Sequence, residues 1–108
     1  MSLNHGTIEV TLDGEVFELR PSLMAMKKIQ TRFGGLRGAL EALGQLNVEH
    51  IGYIVGAGCG AKPAQVSDIE QAVYNQGIAD ATEQVVPFVT ALMNPKGAAE
   101  EKKHNPEK

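Results

Sequence analysis

The chain has 108 residues, of which 43% are hydrophobic and 21% are charged, and its formal net charge is -3. A chain of this size fits one domain with one modest core. The acidic balance and the scattered charges argue against a nucleic-acid binder, which needs a basic face to neutralise phosphates.

Cysteine content and hydropathy bear on the compartment. Cys59 is the only cysteine, so the chain cannot form an internal disulfide, and a cytoplasmic location fits. Residues 1–6 lack the basic and apolar pattern of a signal peptide, and no run approaches the roughly 20 apolar residues that span a bilayer. We therefore expect a cytoplasmic protein with a flexible lead at 1–6 and no membrane segment.

Residues 7–20 predict a β-hairpin. Apolar and polar residues alternate on both sides of Asp13-Gly14, the pair that a two-residue type I′ turn prefers. The register places apolar pairs on one face and a glutamate pair on the other: Val10 with Phe17, Ile8 with Leu19, and Glu9 with Glu18. An isolated hairpin is only marginally stable, so we expect its apolar face to pack on helices.

Residues 22–94 predict four or five short α-helices. Predicted helix starts are Ser22, Asn47, and Ser67 with Glu70 as a capping box; predicted ends are Gly34-Gly35, Gly44 and Gly77. Glycines weaken the third helix by about 1 kcal/mol each, so we expect it to fray by Gly58. Pro87 interrupts the last helical pattern, which predicts a kink or two shorter helices.

The predicted architecture is an α+β fold, an N-terminal β-hairpin followed by four or five short α-helices in a small bundle. A single domain covers 7–94. The polar segment at 95–108 has almost nothing to bury, so we expect a disordered tail.

The glycine-rich segment 53–61, Tyr-Ile-Val-Gly-Ala-Gly-Cys-Gly-Ala, is similar to the strand and turn of a dinucleotide-binding unit. Asp80 lies about 20 residues downstream, where that fingerprint expects an acid. However, Lys62-Pro63 interrupts the helix that must open at the second glycine. We therefore favour a helix that ends in a flexible glycine-rich loop, and we keep a nucleotide-binding enzyme as a remote alternative.

Other candidate chemical groups do not converge in the sequence. The three histidines, His5, His50 and His104, are dispersed, which argues against a zinc site. His50 and Cys59 would lie about 13 Å apart along one helix, too far for a nucleophile and its base. Two acid pairs, Asp68 with Glu70 and Asp80 with Glu83, lie in predicted first helical turns. Negative charge there interacts favourably with the helix dipole, which explains the pairs without catalysis. The sequence thus predicts no catalytic residue, cofactor or metal ion.

The order of the segments resembles that of a known family. The opening Thr-Ile-Glu-Val-Thr-Leu-Asp-Gly-Glu-Val-Phe-Glu-Leu-Arg, followed by Ser-Leu-Met-Ala-Met-Lys-Lys-Ile-Gln, is similar to the tail proteins of gene transfer agents and related prophages. The similarity continues through Phe-Gly-Gly-Leu, the glycine-rich segment, Val-Ser-Asp-Ile-Glu and the closing Ala/Val/Leu helix. This chain departs in carrying Lys-Lys-Ile-Gln at 27–30, where many relatives have a glutamate.

This family comprises phage tail tube and tail assembly chaperone-like proteins. The resemblance implies a role in tail morphogenesis in the host cytoplasm, with the tail tape measure protein and the tail tube protein as partners. An amphipathic helix of the tape measure would bind an apolar groove between helices. Phe33, Leu36, Leu40 and Leu43 are the predicted lining, although the same residues fit the core.

The sequence leaves open one alternative function and one alternative partner surface. A small structural subunit of the tail tube or terminator would polymerise through the hairpin edge, which makes the chain a candidate homo-oligomer. Met24 and Met26, beside Leu23, could form an adaptable partner surface, but we favour core filling for both methionines.

Overall fold

The computed structural model describes residues 7–94 and has a β-hairpin followed by five α-helices in this range. The predicted α+β class is therefore confirmed. One continuous core unites the hairpin and the helices. The predicted lead at 1–6 and the predicted disordered tail at 95–108 lie outside the described residues.

The hairpin consists of β1 (Ile8–Leu12) and β2 (Glu15–Leu19), which pair in the predicted register. Asp13 and Gly14 have φ angles of 55° and 81°. Both are left-handed, as a type I′ turn requires. The alternation buries Val10 and the other inward side chains, so the apolar face of the ribbon lies on the helices.

Five helices and one 3-10 turn follow the hairpin. The helices are α1 (Leu23–Phe33), α2 (Leu36–Gly44), α3 (Val48–Cys59), α4 (Val66–Gln76) and α5 (Ile78–Met93). The 3-10 turn, Pro63–Gln65, leads directly into α4. None of the helices that the structure describes is long and apolar enough to cross a membrane.

Two of the predicted N-caps are confirmed. The Ser22 hydroxyl accepts a hydrogen bond from the Ala25 N–H at 3.1 Å, and Asn47 Oδ1 accepts one from the Glu49 N–H at 2.8 Å. Each bond satisfies a backbone donor that the first helical turn leaves unpaired. The predicted glycine ends are also confirmed: α1 is followed by Gly34, α2 ends at Gly44, and α4 is followed by Gly77.

The predicted capping box of α4 is wrong. The helix begins at Val66, one residue before Ser67, and no side chain caps its first turn. The reason is the preceding 3-10 turn, which feeds the chain into α4 already in a helical conformation. Gln65 Oε1 accepts a hydrogen bond from the Lys62 N–H at 2.7 Å, so the capping contact forms at the start of that turn instead.

The expectation that α3 frays by Gly58 is also wrong, because the helix continues to Cys59 and ends at Gly60 with φ 74°. Gly58 is buried, and a methyl group there would lie 2.8 Å from Cζ of Phe88 and 3.0 Å from Cβ of Leu19. The missing side chain lets β2 and α5 approach the α3 backbone closely. Tertiary packing therefore outweighs the low helix propensity of glycine.

Pro87 lies inside α5, which runs without a break from Ile78 to Met93. Of the two outcomes predicted, the division into two helices is therefore wrong, and the kink stays a prediction. Proline removes only one intrahelical hydrogen bond, the one to the Glu83 carbonyl. The residues around it are fully buried, namely Val85, Phe88 and Val89, so their packing holds the helix together.

Candidate protein-binding surface

The four residues predicted to bind a partner lie where α1 meets α2. Leu43 is fully buried and belongs to the core, whereas Phe33, Leu36 and Leu40 are half-buried and pack against it. The Phe33 ring packs edge-on against His50, with ring centroids 5.3 Å apart. These side chains already have apolar neighbours, and Leu43 cannot touch a partner unless the helices separate. Their role in partner binding stays a prediction.

Strongly exposed apolar side chains lie elsewhere, three of them at the start of α1 and on β2, and others at Leu46, Tyr74 and Met93. Leu23 and Met24 are 66% and 68% exposed, and Val16 is 55% exposed. The core role that we favoured for Met24 is therefore wrong, whereas Met26 does pack on the core. The helix turns Ala25 inward instead, which leaves the two residues before it in solvent.

A groove of about 530 Å³ runs beside these residues, between β2 and α1, and we call it the edge groove. Its lining includes Val16, Phe17, Met24, Lys28, Gly58 and Gly60. The C-terminal turn of α3 lies against it, with Gly58 buried and Gly60 exposed. The edge groove thus places exposed apolar side chains beside the end of α3 and the outward edge of β2.

Two hydrogen bonds fix Arg20, the residue that follows β2, beside this groove. The Arg20 N–H donates to the Gly58 carbonyl at 3.0 Å, and the Arg20 carbonyl accepts from the Ser22 N–H at 2.8 Å. Both backbone groups of Arg20 are therefore occupied. The strand turns away at this point into α1, and its remaining outward edge lies along Val16 and Glu18.

The opposite edge of the hairpin, along β1, is covered by α4 and α5. Gln84 on α5 accepts from the Thr11 N–H at 2.8 Å and donates to the Thr11 carbonyl at 3.0 Å. Gln76 on α4 accepts from the Asp13 N–H at 2.8 Å. The two amide side chains thus occupy successive outward positions of the hairpin, Thr11 in β1 and Asp13 in the turn, as the backbone of a third strand would.

Asp80, at the start of α5, orients both glutamines. Its Oδ2 accepts a hydrogen bond from Gln76 Nε2 at 2.7 Å and another from Gln84 Nε2 at 2.8 Å. Neither glutamine stands out in the sequence, because a polar residue on a helix surface is ordinary. The one available signal is spacing, since Gln76 and Gln84 each lie four residues from Asp80 and can share its carboxylate.

The glycine-rich segment does not form the geometry of a dinucleotide-binding turn. Residues 53–59 continue α3, with no strand before the glycines and no helix opening at the second one. The predicted flexible loop is likewise wrong, since Gly56 and Gly58 are buried in the helix. Asp80, which matched the ribose-binding acid in spacing, instead holds the two glutamines beside β1.

Cys59 ends α3 on the floor of the edge groove and is half-buried. Burial raises the pKa of the Cys59 thiol, and the Glu15 carboxylate adds to this effect. Because the thiolate is the nucleophilic form, the site disfavours reactivity. His50 lies nine residues earlier on the same helix, about 13 Å along its axis, with Nδ1 buried and unpartnered within residues 7–94. His50 is therefore a half-buried histidine that packs on Phe33.

A second, smaller cavity of about 290 Å³ lies across α3 from the edge groove and shares Lys28 and Ala57 with it. Tyr53 lines this cavity and donates from its hydroxyl to the Lys28 carbonyl at 3.3 Å. The Arg32 guanidinium lies over the same ring, 4.7 Å from its centroid. These contacts fix the tyrosine as a wall of the cavity.

Among residues 7–94, no group of three or more histidine, cysteine or acidic side chains is arranged to hold a metal ion. Comparison with protein-family models, with curated proteins and with solved structures finds no match for this chain.

Proposed function

We propose that this chain is a protein-binding module of phage-type tail morphogenesis, acting in the cytoplasm as an assembly chaperone for the tail tape measure protein and the tail tube protein. The observation that carries the proposal is the edge groove, where exposed apolar side chains flank an unpaired strand edge. The sequence resemblance to tail proteins of gene transfer agents supplies the identity of the partners.

The physical support comes from Met24 and Val16. An exposed apolar side chain alone is ordinary, but apolar residues gathered beside a groove are typical of surfaces that bind proteins. Methionine adapts to irregular contacts because its side chain is unbranched and polarizable. An exposed strand edge adds backbone donors and acceptors that another polypeptide can pair with. Together these features suit reversible binding of a polypeptide.

The asymmetry of the hairpin favours a chaperone over a tube subunit. A polymer built by continuing the sheet from copy to copy needs two complementary edges on each copy. Here Gln84 and Gln76 occupy outward backbone groups of Thr11 in β1 and of Asp13 in the turn. A further copy therefore cannot continue the sheet through these two positions.

The proposal is tested by co-expressing the full chain with a tape measure protein of a gene transfer agent-like tail. Alone, the chain should scatter light as a monomer or small oligomer. Together, the two proteins should elute as one soluble complex, and the soluble fraction of the tape measure should rise. Assembly of the chain alone into rings or tubes would establish the tube subunit instead, and an unchanged tape measure would refute the chaperone.

A matched pair of variants ties the binding to the edge groove. Met24→Glu places a charge in the groove, whereas Tyr74→Glu places one on α4 at a position of nearly equal exposure, 67% against 68%. Capture of the tape measure should fall with the first variant and persist with the second. Equal effects would place the binding surface elsewhere.

A further inference from the structure

The backbone direction in β2 follows from that in β1. Thr11 directs its N–H and C=O away from the hairpin ladder, to Gln84. Its cross-strand partner Val16 must also direct both groups outward, since opposed residues of an antiparallel pair behave alike. Glu18, two residues further, does the same. Within residues 7–94 these groups have no partner, so they form a short free edge with two donors and two acceptors.

We infer that this free edge binds an extended segment of a partner protein as a third, antiparallel strand. The segment carries Lys or Arg opposite Glu18 and an apolar residue opposite Val16, which in the antiparallel direction reads basic-x-apolar. This inference rests on the proposed protein-binding function and states how the partner is held.

The edge groove has room for such a strand. Added strands lie about 4.8 Å from their neighbours, and the groove of about 530 Å³ lies directly beside Val16 and Glu18. The side chain between the basic and apolar positions points to the opposite face of the strand. It faces Phe17 and Gly60, the residue that follows α3. Gly60 is exposed and has no side chain, which leaves space there.

The charge pattern selects the residue opposite Glu18. Glu9 and Glu18 are direct cross-strand neighbours on the exposed face, and like charges in this arrangement are destabilising. An added strand places its own side chain on the other side of Glu18, so a cation there offsets the repulsion. Arg20 and Lys28 also line the groove. Glu18 therefore selects a basic residue at the one position opposite it. Because the cations Arg20 and Lys28 lie in the same groove, a segment that is basic along its whole length is not favoured.

A second copy of this chain is a poorer partner for the free edge of β2 than a different polypeptide. If two β2 strands pair around Phe17, the free backbone groups are matched, but Val16 lies opposite Glu18 and leaves its charge unpaired. The register that opposes Glu18 with Arg20 requires the backbone of Arg20, which already bonds to Gly58 and Ser22. A different polypeptide avoids this conflict.

The test uses the full chain, labelled with ¹⁵N, and a peptide of sequence Ser-Thr-Lys-Ala-Val-Thr-Ser with blocked ends. Binding should shift the Val16 and Glu18 amide signals and slow their hydrogen exchange, and leave the Thr11 amide unchanged. A matched peptide with glutamate in place of lysine should bind about threefold to tenfold more weakly. Methylating the backbone nitrogen of the peptide valine removes a ladder hydrogen bond, so it should also weaken binding.

A charge reversal separates this register from general electrostatics. Glu18→Lys should reverse the preference, so that the glutamate peptide binds more tightly than the lysine peptide. Glu41→Lys makes the same charge change on an exposed residue of α2 outside the groove, and it should preserve the original preference. Both substitutions are at exposed positions, so both variants should fold, which the dispersion of the same spectra verifies.

Each contrary result has a distinct meaning. Equal affinity for the two peptides, or shifts away from Val16 and Glu18, would overturn the inference. Protection of these amides that grows with protein concentration in the absence of peptide would assign the edge to a second copy and overturn it as well. If the tape measure is still captured in either case, the proposed function stands. Failure of the unmodified chain to capture the tape measure would refute the proposed function itself.

Discussion

The two edges of the hairpin differ in what lies beside them. The outward backbone of β1 is bonded to Gln84 at Thr11 and to Gln76 at Asp13, whereas the outward backbone of β2 borders the edge groove. Exposed strand edges invite pairing with other chains, and proteins generally protect them. Occupation of Thr11 and Asp13 on one side, combined with exposure of Val16 and Glu18 on the other, favours strand addition at β2.

The two edges also differ in how they are fixed. Two side chains from α4 and α5 hold β1, and both depend on Asp80. By contrast, β2 is fixed at its end, where Arg20 bonds to the Gly58 carbonyl and the α3 backbone comes close to Leu19. The contacts that cover the edge of β1 and the contacts that anchor β2 are thus made by different residues. Substitutions can therefore disturb one set without the other.

The largest expected effect comes from disturbing the anchor of β2. In Gly58→Ala the added methyl group would meet the buried side chains of Phe88 and Leu19 at 2.8 and 3.0 Å. Overpacking of this kind costs about 1–3 kcal/mol, and the better helix propensity of alanine returns at most about 1 kcal/mol. Urea unfolding should therefore show a net loss of about 1–2 kcal/mol in the free energy of unfolding.

Gly44→Ala is the matched control for this substitution. Gly44 is the last residue of α2, and a methyl group there would meet nothing within 4 Å. Its free energy of unfolding should stay unchanged or rise by up to about 1 kcal/mol. If both alanine variants behaved alike, the close approach at Gly58 would carry no energetic weight.

A smaller effect is expected from opening the edge of β1. Gln84→Ala removes both hydrogen bonds to Thr11, and partly exposed bonds contribute modestly, so the free energy of unfolding should fall by about 1 kcal/mol. The Thr11 amide should exchange faster. Gln71→Ala removes only a bond to Asn75 on the surface of α4, and its free energy of unfolding should change by no more than about 0.5 kcal/mol.

The double variant Gln76→Ala/Gln84→Ala breaks the asymmetry itself. With both edges of the hairpin free, copies can pair β1 to β2 in succession, and sedimentation should show association that increases with concentration. The unmodified chain should not extend in this way. A double variant that remained as small as the parent would mean that the helices, rather than the glutamine side chains, exclude strands from β1.

The difference between the edges also marks what local sequence could predict. The hairpin and its register follow from alternation around Asp13-Gly14, which is local chemistry, and the structure confirms them. The closure of β1 joins Gln84 to Thr11, 73 residues away, and no pattern within either segment indicates it. The edge groove depends on how α1 lies beside β2, which turn chemistry does not determine.

The wrong predictions have a related cause. In α3 the predicted cost of each glycine is local, whereas Gly58 is required by contacts with Leu19 and Phe88, both distant in sequence. In α1 the helical pattern does not distinguish a buried position from one facing the edge groove, so it wrongly predicts Met24 in the core. The partner role predicted for the residues around Phe33 stays a prediction, because hydrophobicity is a property that a core and a binding surface share.

The smallest effect concerns Cys59, which reports on the open edge because it lies on the groove floor. Burial, with a contribution from Glu15, raises the pKa of the Cys59 thiol. At a pH below that pKa the folded chain therefore holds less thiolate than the unfolded chain, and iodoacetamide should alkylate it more slowly. As the pH rises through the pKa of the thiol in the folded chain, the alkylation rates of the folded and unfolded chains should converge, to the extent that thiolate content sets the difference between them.

Occupation of the groove should slow this alkylation further. A strand bound beside Val16 covers the floor at Cys59, so the lysine peptide should reduce the alkylation rate of the folded chain, and its glutamate counterpart should do so less at the same concentration. The unfolded chain, which has no groove, provides the control and should react equally with and without peptide. Equal protection of folded and unfolded chains would mean that the peptide acts on the reagent, and unchanged alkylation of the folded chain would place the bound segment away from the β2 edge.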